Sequence, residues 1–320
     1  MERQFEIQDK DRIIRTFSNF REEVELSSGN LGQWEIKTIE RRLILPENIE
    51  VQAKNLLGKW INAFPREETW IQNSVGIPSL LVRFDGVDMD GELGVYEIEE
   101  RPAGVGHTIM INSSFARNLD SVSKTWPDFD VVISPKRDPA DDKLWRNVVS
   151  LEDSKGLAYV RAEPDETEFA QLRSRSVSTI STEGDKSYGV DLGLWKFVDD
   201  PKQFPERESF VLKPMQGSKG KEMVFYIADK NPIPGNSRMK NVCKKLEEQV
   251  EKNGGMYLQK LIPPMQSGFD KYPYMIYRFF FGFNFDTGQW ESLGGTYFVR
   301  NNVKIHGASD SLSGALVVKK

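Results

Sequence analysis

The sequence predicts a mixed α/β chain, and three observations carry that prediction. In the first half, apolar runs of strand length alternate with segments of helical spacing. In the second half, two apolar runs flank a glycine-containing insert as an antiparallel pair, and further strand-like runs follow. The 320 residues, 38% hydrophobic and 28% charged with a mean hydropathy of −0.50, allow a sizeable buried core without crosslinks.

From Pro46 the segment PENIEVQAKNLLGKWINAF starts with proline at a first helical position and carries Ile49, Ala53, Leu56, Leu57, Trp60, Ile61 and Phe64 at helical spacing. IPSLLVRFD and ELGVYEIEE read as two strands joined by an Asp/Gly turn, and SSFARNLDSVSKTW as a helix capped by Ser113 or Ser114. DFDVVIS, KLWRNVV and GLAYVRA read as strand, helix and strand. Between Ser174 and Lys186 the composition turns polar and rich in serine and threonine, which marks a loop or boundary. Beyond it, SFVLKP and MVFYIA flank a glycine-containing insert as an antiparallel pair. NVCKKLEEQVEKN is a helix stopped by Gly254-Gly255. MYLQKLI, YMIYRFFFGFNF and GGTYFVR complete the strands.

Composition excludes several functions. Forty-three basic against 48 acidic side chains give a net charge of −5, so there is no global positive field for a nucleic-acid backbone. The single Cys243 forms no intrachain disulfide and builds no thiolate zinc site. The N-terminus lacks the apolar core of a signal peptide, and no stretch approaches the ~18 apolar residues of a membrane span, so a cytoplasmic protein with no membrane partner is expected. With only His107 and His306, catalysis is expected to rest on carboxylates, lysines and arginines.

The most informative stretch is LVRFDGVDMDGELGVYEIEERPAG. Strand side chains alternate, so Arg83 and Asp85 share a face of the first strand, as do Glu97 and Glu99 of the second. A two-residue Asp90-Gly91 turn sends Asp85 and Glu97 to opposite faces. A three-residue Met89-Asp90-Gly91 loop sets Asp88 against Glu92 and brings all four charged side chains together. Three carboxylates with one arginine suit one or two Mg²⁺ ions plus phosphate, whereas the bland reading is a solvated strand pair with salt bridges. Lys213 lies inside an apolar strand, where a charge is costly unless it meets an anion, and GSKGK follows with backbone donors for phosphate. A snorkelling lysine beside a solvated turn is the competing reading. Arg300 ends a strand ahead of several small residues. HGASDS lacks the G-x-S-x-G pattern of a hydrolase, and His306 reads as structural.

Together these segments resemble the circularly permuted ATP-grasp ligases, most closely the synthetase domain of glutathionylspermidine synthetase. The family's Arg-x-Asp-Phe element is matched by Arg83-Phe84-Asp85-Gly86, and its Glu-x-Asn pair by Glu97-Ile98-Glu99 after Val95-Tyr96. Glu99 replaces the expected Asn and adds a negative charge. Asp185-Lys186, followed by Leu194-Trp195, resembles the segment of the nucleotide-contacting lysine, and Lys213 in VLKP matches a second one. Gln259 lies where the family runs a strand past the adenine, and Arg300 resembles an arginine of its closing strand.

The resemblance implies an ATP-grasp-like fold, with an antiparallel nucleotide-binding subdomain packed against an α/β half that supplies metal ligands. It divides the chain into an N-terminal α/β region at 1–80, a metal-ligand and substrate part at 81–180 and a nucleotide-binding part at 181–320. It implies magnesium on Asp85, Glu97 and Glu99, and ATP held by Lys186, Lys213, Gln216, Gly217, Ser218, Gly220, Gln259, Lys260 and Leu261. Arg83 and Arg300 take the catalytic roles. The implied activity is ADP-forming ligation of a small-molecule or peptide carboxylate to an amine through an acylphosphate, with two Mg²⁺ ions and a lid at residues 217–220. A catalytically silent ATP-binding protein is the alternative.

Overall fold

The structure, a computed structural model, describes residues 38–63, 81–99, 104–126, 188–205, 208–215, 223–228, 238–302 and 311–319. Among them, the larger sheet has the strand order β1-β11-β10-β9-β2-β3, with β8 added on β9. Its strands are β1 (Thr38–Ile44), β2 (Leu81–Met89), β3 (Glu92–Glu99), β8 (Met265–Gln266), β9 (Tyr274–Asn284), β10 (Gln289–Arg300) and β11 (Leu312–Val317). All neighbours are antiparallel except β1 and β11. Strands from both sides of residues 174–186 therefore build one sheet, with β2 laid directly on β9.

Helices cover both faces of this sheet. The first, α1 (Glu47–Ala63), follows Pro46 and buries Ile49, Ala53, Leu57 and Trp60 completely, four positions that fall on one side of a helix. They share a core with Phe84, Phe279 and Phe281. Phe280 points to the other face because neighbours on a strand alternate, and there it meets Phe115 at 4.9 Å between ring centres. Phe115 belongs to α3 (Ser113–Ser123), which follows the short α2 (Val105–Ile111). The cap of α3 is Asn112 and not a serine: its side-chain oxygen accepts from the backbone N–H groups of Ser114 and Phe115, both at 3.1 Å. Its amide nitrogen donates to the carbonyls of Gly295 and Leu316 at 2.8 and 2.9 Å, so one buried side chain caps the helix and docks it on the sheet.

The smaller sheet is antiparallel throughout, in the order β4-β7-β5-β6, from β4 (Lys196–Val198), β5 (Phe210–Pro214), β6 (Val224–Tyr226) and β7 (Met256–Lys260). Phe210, Leu212, Met256 and Leu258 close a second core against Val242 and Leu246 of α5 (Met239–Asn253), which ends at Gly254. A four-residue helix, α4 (Tyr188–Asp191), precedes β4. The mixed α/β architecture expected from the sequence is thus present, with β9 and β10 in the larger sheet. The elements expected in DFDVVIS, KLWRNVV and GLAYVRA lie outside the described residues. Among the described residues no helix is long and apolar enough to cross a membrane.

Candidate functional site

Asp90 (φ 56°) and Gly91 (φ 97°) form a two-residue turn with both backbones in the left-handed region, and Met89 faces Glu92. The Asp88 carboxylate accepts from the Gly91 N–H at 2.6 Å, and Asn48 and Gln52 of α1 both donate to the Gly91 carbonyl, which fixes the short turn. Of the two loops open to the sequence the shorter one is formed, and Asp88 faces Leu93 instead of Glu92. Such a turn with a regular ladder would separate Asp85 from Glu97. The ladder is not regular: Gly86 pairs with Val95 but Asp85 with Glu97, so Tyr96 is the extra residue of a β-bulge. Val95 and Ile98 explain it, being three positions apart and both buried, which a strict period of two forbids.

The bulge lines up charge across three strands. Arg278, Asp85 and Glu97 occupy one row of β9, β2 and β3, and Phe280, Arg83 and Glu99 the next. Arg278 grips Asp85 at two points, Nε to Oδ1 and Nη2 to Oδ2, both 3.0 Å. Arg83 approaches the same oxygens with Nε at 3.0 Å from Oδ1 and Nη2 at 3.1 Å from Oδ2. Arg83 Nη2 also lies 2.6 Å from Glu99 Oε1 and 3.9 Å from Glu97 Oε2. Arg83 is 3% exposed, whereas the Glu97 and Glu99 side chains are 34% and 28% exposed and form the outer edge of the cluster.

Burial raises the Asp85 pKa, but the Arg278 and Arg83 charges outweigh it and hold the carboxyl below its ordinary value. Glu99 goes the other way. Burial pushes it up to about 7, with Arg83 opposing and the Glu97 and Asp85 charges adding to the rise. The Arg278 guanidinium also lies 4.9 Å from the Phe298 ring, and Gly104, with φ 84°, starts α2 so close that a Cβ there would stand 3.1 Å from Arg278 Nη1. His107 stacks on Phe298 and meets Ser313 Oγ at 3.1 Å, and burial followed by the Arg278 charge pushes it down to about 3.

The smaller sheet reaches the same hairpin from outside. Lys213 is buried, so it does not snorkel; its ammonium donates to the Tyr96 carbonyl and lies 4.3 Å from the centre of the Trp195 ring. Gln259 donates to the Val95 carbonyl at 2.7 Å, and Tyr188 Oη bonds both the N–H and the carbonyl of Ile98. These contacts satisfy the outward edge of β3. The side chain of Gln259 therefore faces β3. Lys260 is exposed, 3.9 Å from Glu208, and the Leu261 N–H bonds the Ser209 carbonyl.

The structure brings Arg83, Asp85, Glu97 and Glu99 together and sets Lys213 against the bulge beside them. Arg300 ends β10 opposite Tyr274, about 13 Å of strand beyond Thr296, the residue next to Arg278. Lys186, Gln216, Gly217, Ser218 and Gly220 lie outside the described residues. Sequence reasoning missed Arg278. Its signal was the one that singled out Lys213: a lone charge inside an aromatic strand, YMIYRFFFGFN.

Magnesium takes oxygen ligands, and Glu97 and Glu99 offer them at the outer edge of the cluster. Asp85 does not fit, since each of its oxygens already meets two guanidinium nitrogens. Among the described residues no group of three His, Cys, Asp or Glu side chains is arranged to hold a metal ion.

No protein-family model matches the chain, and no curated protein matches it. Among solved structures, the chain is similar to a glutathione synthetase-like effector from Globodera pallida in its apo form. The identity is 11%, the TM-score 0.39, and the match covers 87% of this chain and 89% of that one.

Proposed function

We propose that the chain is an ATP- and Mg²⁺-dependent ligase that joins a carboxylate to an amine through an acylphosphate, in the cytoplasm. The observation that carries this reading is the charged cluster on β9, β2 and β3. Five ionisable side chains, two of them guanidiniums, meet on one sheet face where a structural core needs none. A divalent cation held by Glu97 and Glu99 would neutralise the terminal phosphates of ATP. Arg83 orients Glu99, and the buried Lys213 supplies a cation on the nucleotide side. In the first step the substrate carboxylate attacks the γ-phosphorus, the bond to the β-phosphate oxygen breaks, and ADP leaves. In the second the amine attacks the acyl carbon, phosphate departs, and the amine proton passes to solvent or a nearby carboxylate. Neither step needs a protein nucleophile.

A second reading, an ATP-binding protein without turnover, is favoured by the engagement of Lys213 and Gln259 with β3. Purified protein with ATP, Mg²⁺ and pooled acids and amines separates the two. ADP release that requires an acid and an amine together supports the ligase; tight ATP binding without release supports the silent protein.

A further inference from the structure

Asp85 sits at the centre of the cluster with both of its oxygens met by guanidinium nitrogens. It is 8% exposed and lies between Arg278 on one neighbouring strand and Glu97 on the other. Four guanidinium contacts between 3.0 and 3.1 Å converge on its two oxygens. The same Arg83 Nη2 that touches Asp85 Oδ2 lies 2.6 Å from Glu99 Oε1. Arg278 is in turn fixed by the Phe298 ring below it and the close approach of Gly104. The four charges therefore form an ordered chain of alternating sign, starting at a packed arginine and ending at a carboxylate on the outer edge.

We propose that Asp85 is a positioning residue and not a metal ligand: through the chain Arg278–Asp85–Arg83–Glu99 it fixes the Glu99 carboxylate beside Glu97. Arg278, which no motif assigned, is the anchor of that chain. This inference rests on the reading above that Glu97 and Glu99 take a divalent cation.

The two assignments of Asp85 predict opposite signs for one substitution. If Asp85 binds the metal directly, Arg278 competes with it, and removing Arg278 frees two oxygens and deletes a repelling charge. Metal affinity then rises. If Asp85 positions Glu99, removing Arg278 loosens the chain and affinity falls, by about tenfold or more as for other outer partners of metal ligands.

The experiment titrates the full chain with Mn²⁺, alone and with ATP, and reads free Mn²⁺ by electron paramagnetic resonance. Parent, Asp85→Asn, Arg278→Met and the double variant are compared. The expected result is that both single variants bind Mn²⁺ more weakly and the double is no weaker than the worse single, since both act on one chain. Arg278→Lys, which keeps the charge but loses the two-point grip, is expected to move the same way and serves if the methionine variant does not fold. Tighter or unchanged binding in the Arg278 variants, beside a loss in Asp85→Asn, would overturn the proposal and return Asp85 to the ligands. A parent that binds no Mn²⁺, with or without ATP, overturns the cation reading itself, and that outcome is visible before any variant is compared.

Discussion

The Lys213 ammonium lies 4.3 Å from the centre of the Trp195 ring while it donates to the carbonyl of Tyr96. One lysine thus ties the smaller sheet to the bulge that sets Glu97 opposite Asp85. Lys213→Met keeps the volume and removes both contacts. The expected cost is about 1–3 kcal/mol of stability, read by urea unfolding, together with a change in tryptophan emission. If Lys213 also meets the nucleotide, the same variant binds labelled ATP at least tenfold more weakly. Unchanged ATP affinity would leave Lys213 as a link between sheets and nothing more.

Gln259 is expected to act on stability alone. Its side chain is 3% exposed and donates to the Val95 carbonyl at 2.7 Å. Gln259→Leu strands that carbonyl inside the protein, at a cost of about 1–3 kcal/mol. Thermal melting should show the loss, while ATP affinity measured below the transition stays within about twofold of the parent. A large loss of ATP affinity would mean that the side chain turns toward the nucleotide when it binds.

Asn112 combines four hydrogen bonds in one buried residue. Asn112→Ala removes the cap of α3 and both amide contacts to the sheet carbonyls of Gly295 and Leu316, so a loss of roughly 2–4 kcal/mol is expected from chemical denaturation. Asn112→Asp keeps the cap oxygen but not the two donors, and should fall between parent and alanine. An aspartate variant as stable as the parent would show that the Gly295 and Leu316 contacts contribute nothing.

What the sequence revealed depended on whether the signal was local. The α1 face was readable because Ile49, Ala53, Leu57 and Trp60 repeat at helical spacing, and all four are buried. The α3 cap was misplaced by one or two residues because Ser113 and Ser114 are equally good caps in isolation; the contacts to Gly295 and Leu316, 183 and 204 residues away, select Asn112. The hairpin shows the same limit. Asp90-Gly91 suits a two-residue turn, but the bulge at Tyr96 follows from Val95 and Ile98 both facing the core, which only the packed sheet imposes. Of the two loops the sequence allowed, the two-residue turn is the one formed, and it is the bulge that puts Arg83, Asp85, Glu97 and Glu99 on one face. Arg278 was overlooked because its role comes from register with Asp85 across 193 residues, and no spacing motif encodes that pairing.

Glu99 gives the last prediction, through the pH dependence of stability. Its folded pKa is raised from 4.5 to about 7, so between these values the folded protein holds a proton that the unfolded chain has released. Stability from this group is fully present below about pH 4.5 and is lost as pH rises through about 7. Two other groups run the opposite way. His107 is lowered from 6.5 to about 3, so its contribution is present above 6.5 and lost as pH falls toward 3. Asp85, lowered from 3.8, loses its contribution only at still more acid pH. The parent's slope between pH 5 and 7 is therefore a sum of opposing parts, and the Glu99 part is isolated by difference. Glu99→Gln cannot ionise, so relative to the parent it should gain roughly 1–3 kcal/mol between pH 5 and pH 8, a range that allows for the 28% exposure of the side chain. Urea unfolding of both proteins at half-unit steps of pH measures it. Parallel curves would mean that Glu99 titrates in the ordinary carboxylate range and swings out to solvent, away from Arg83.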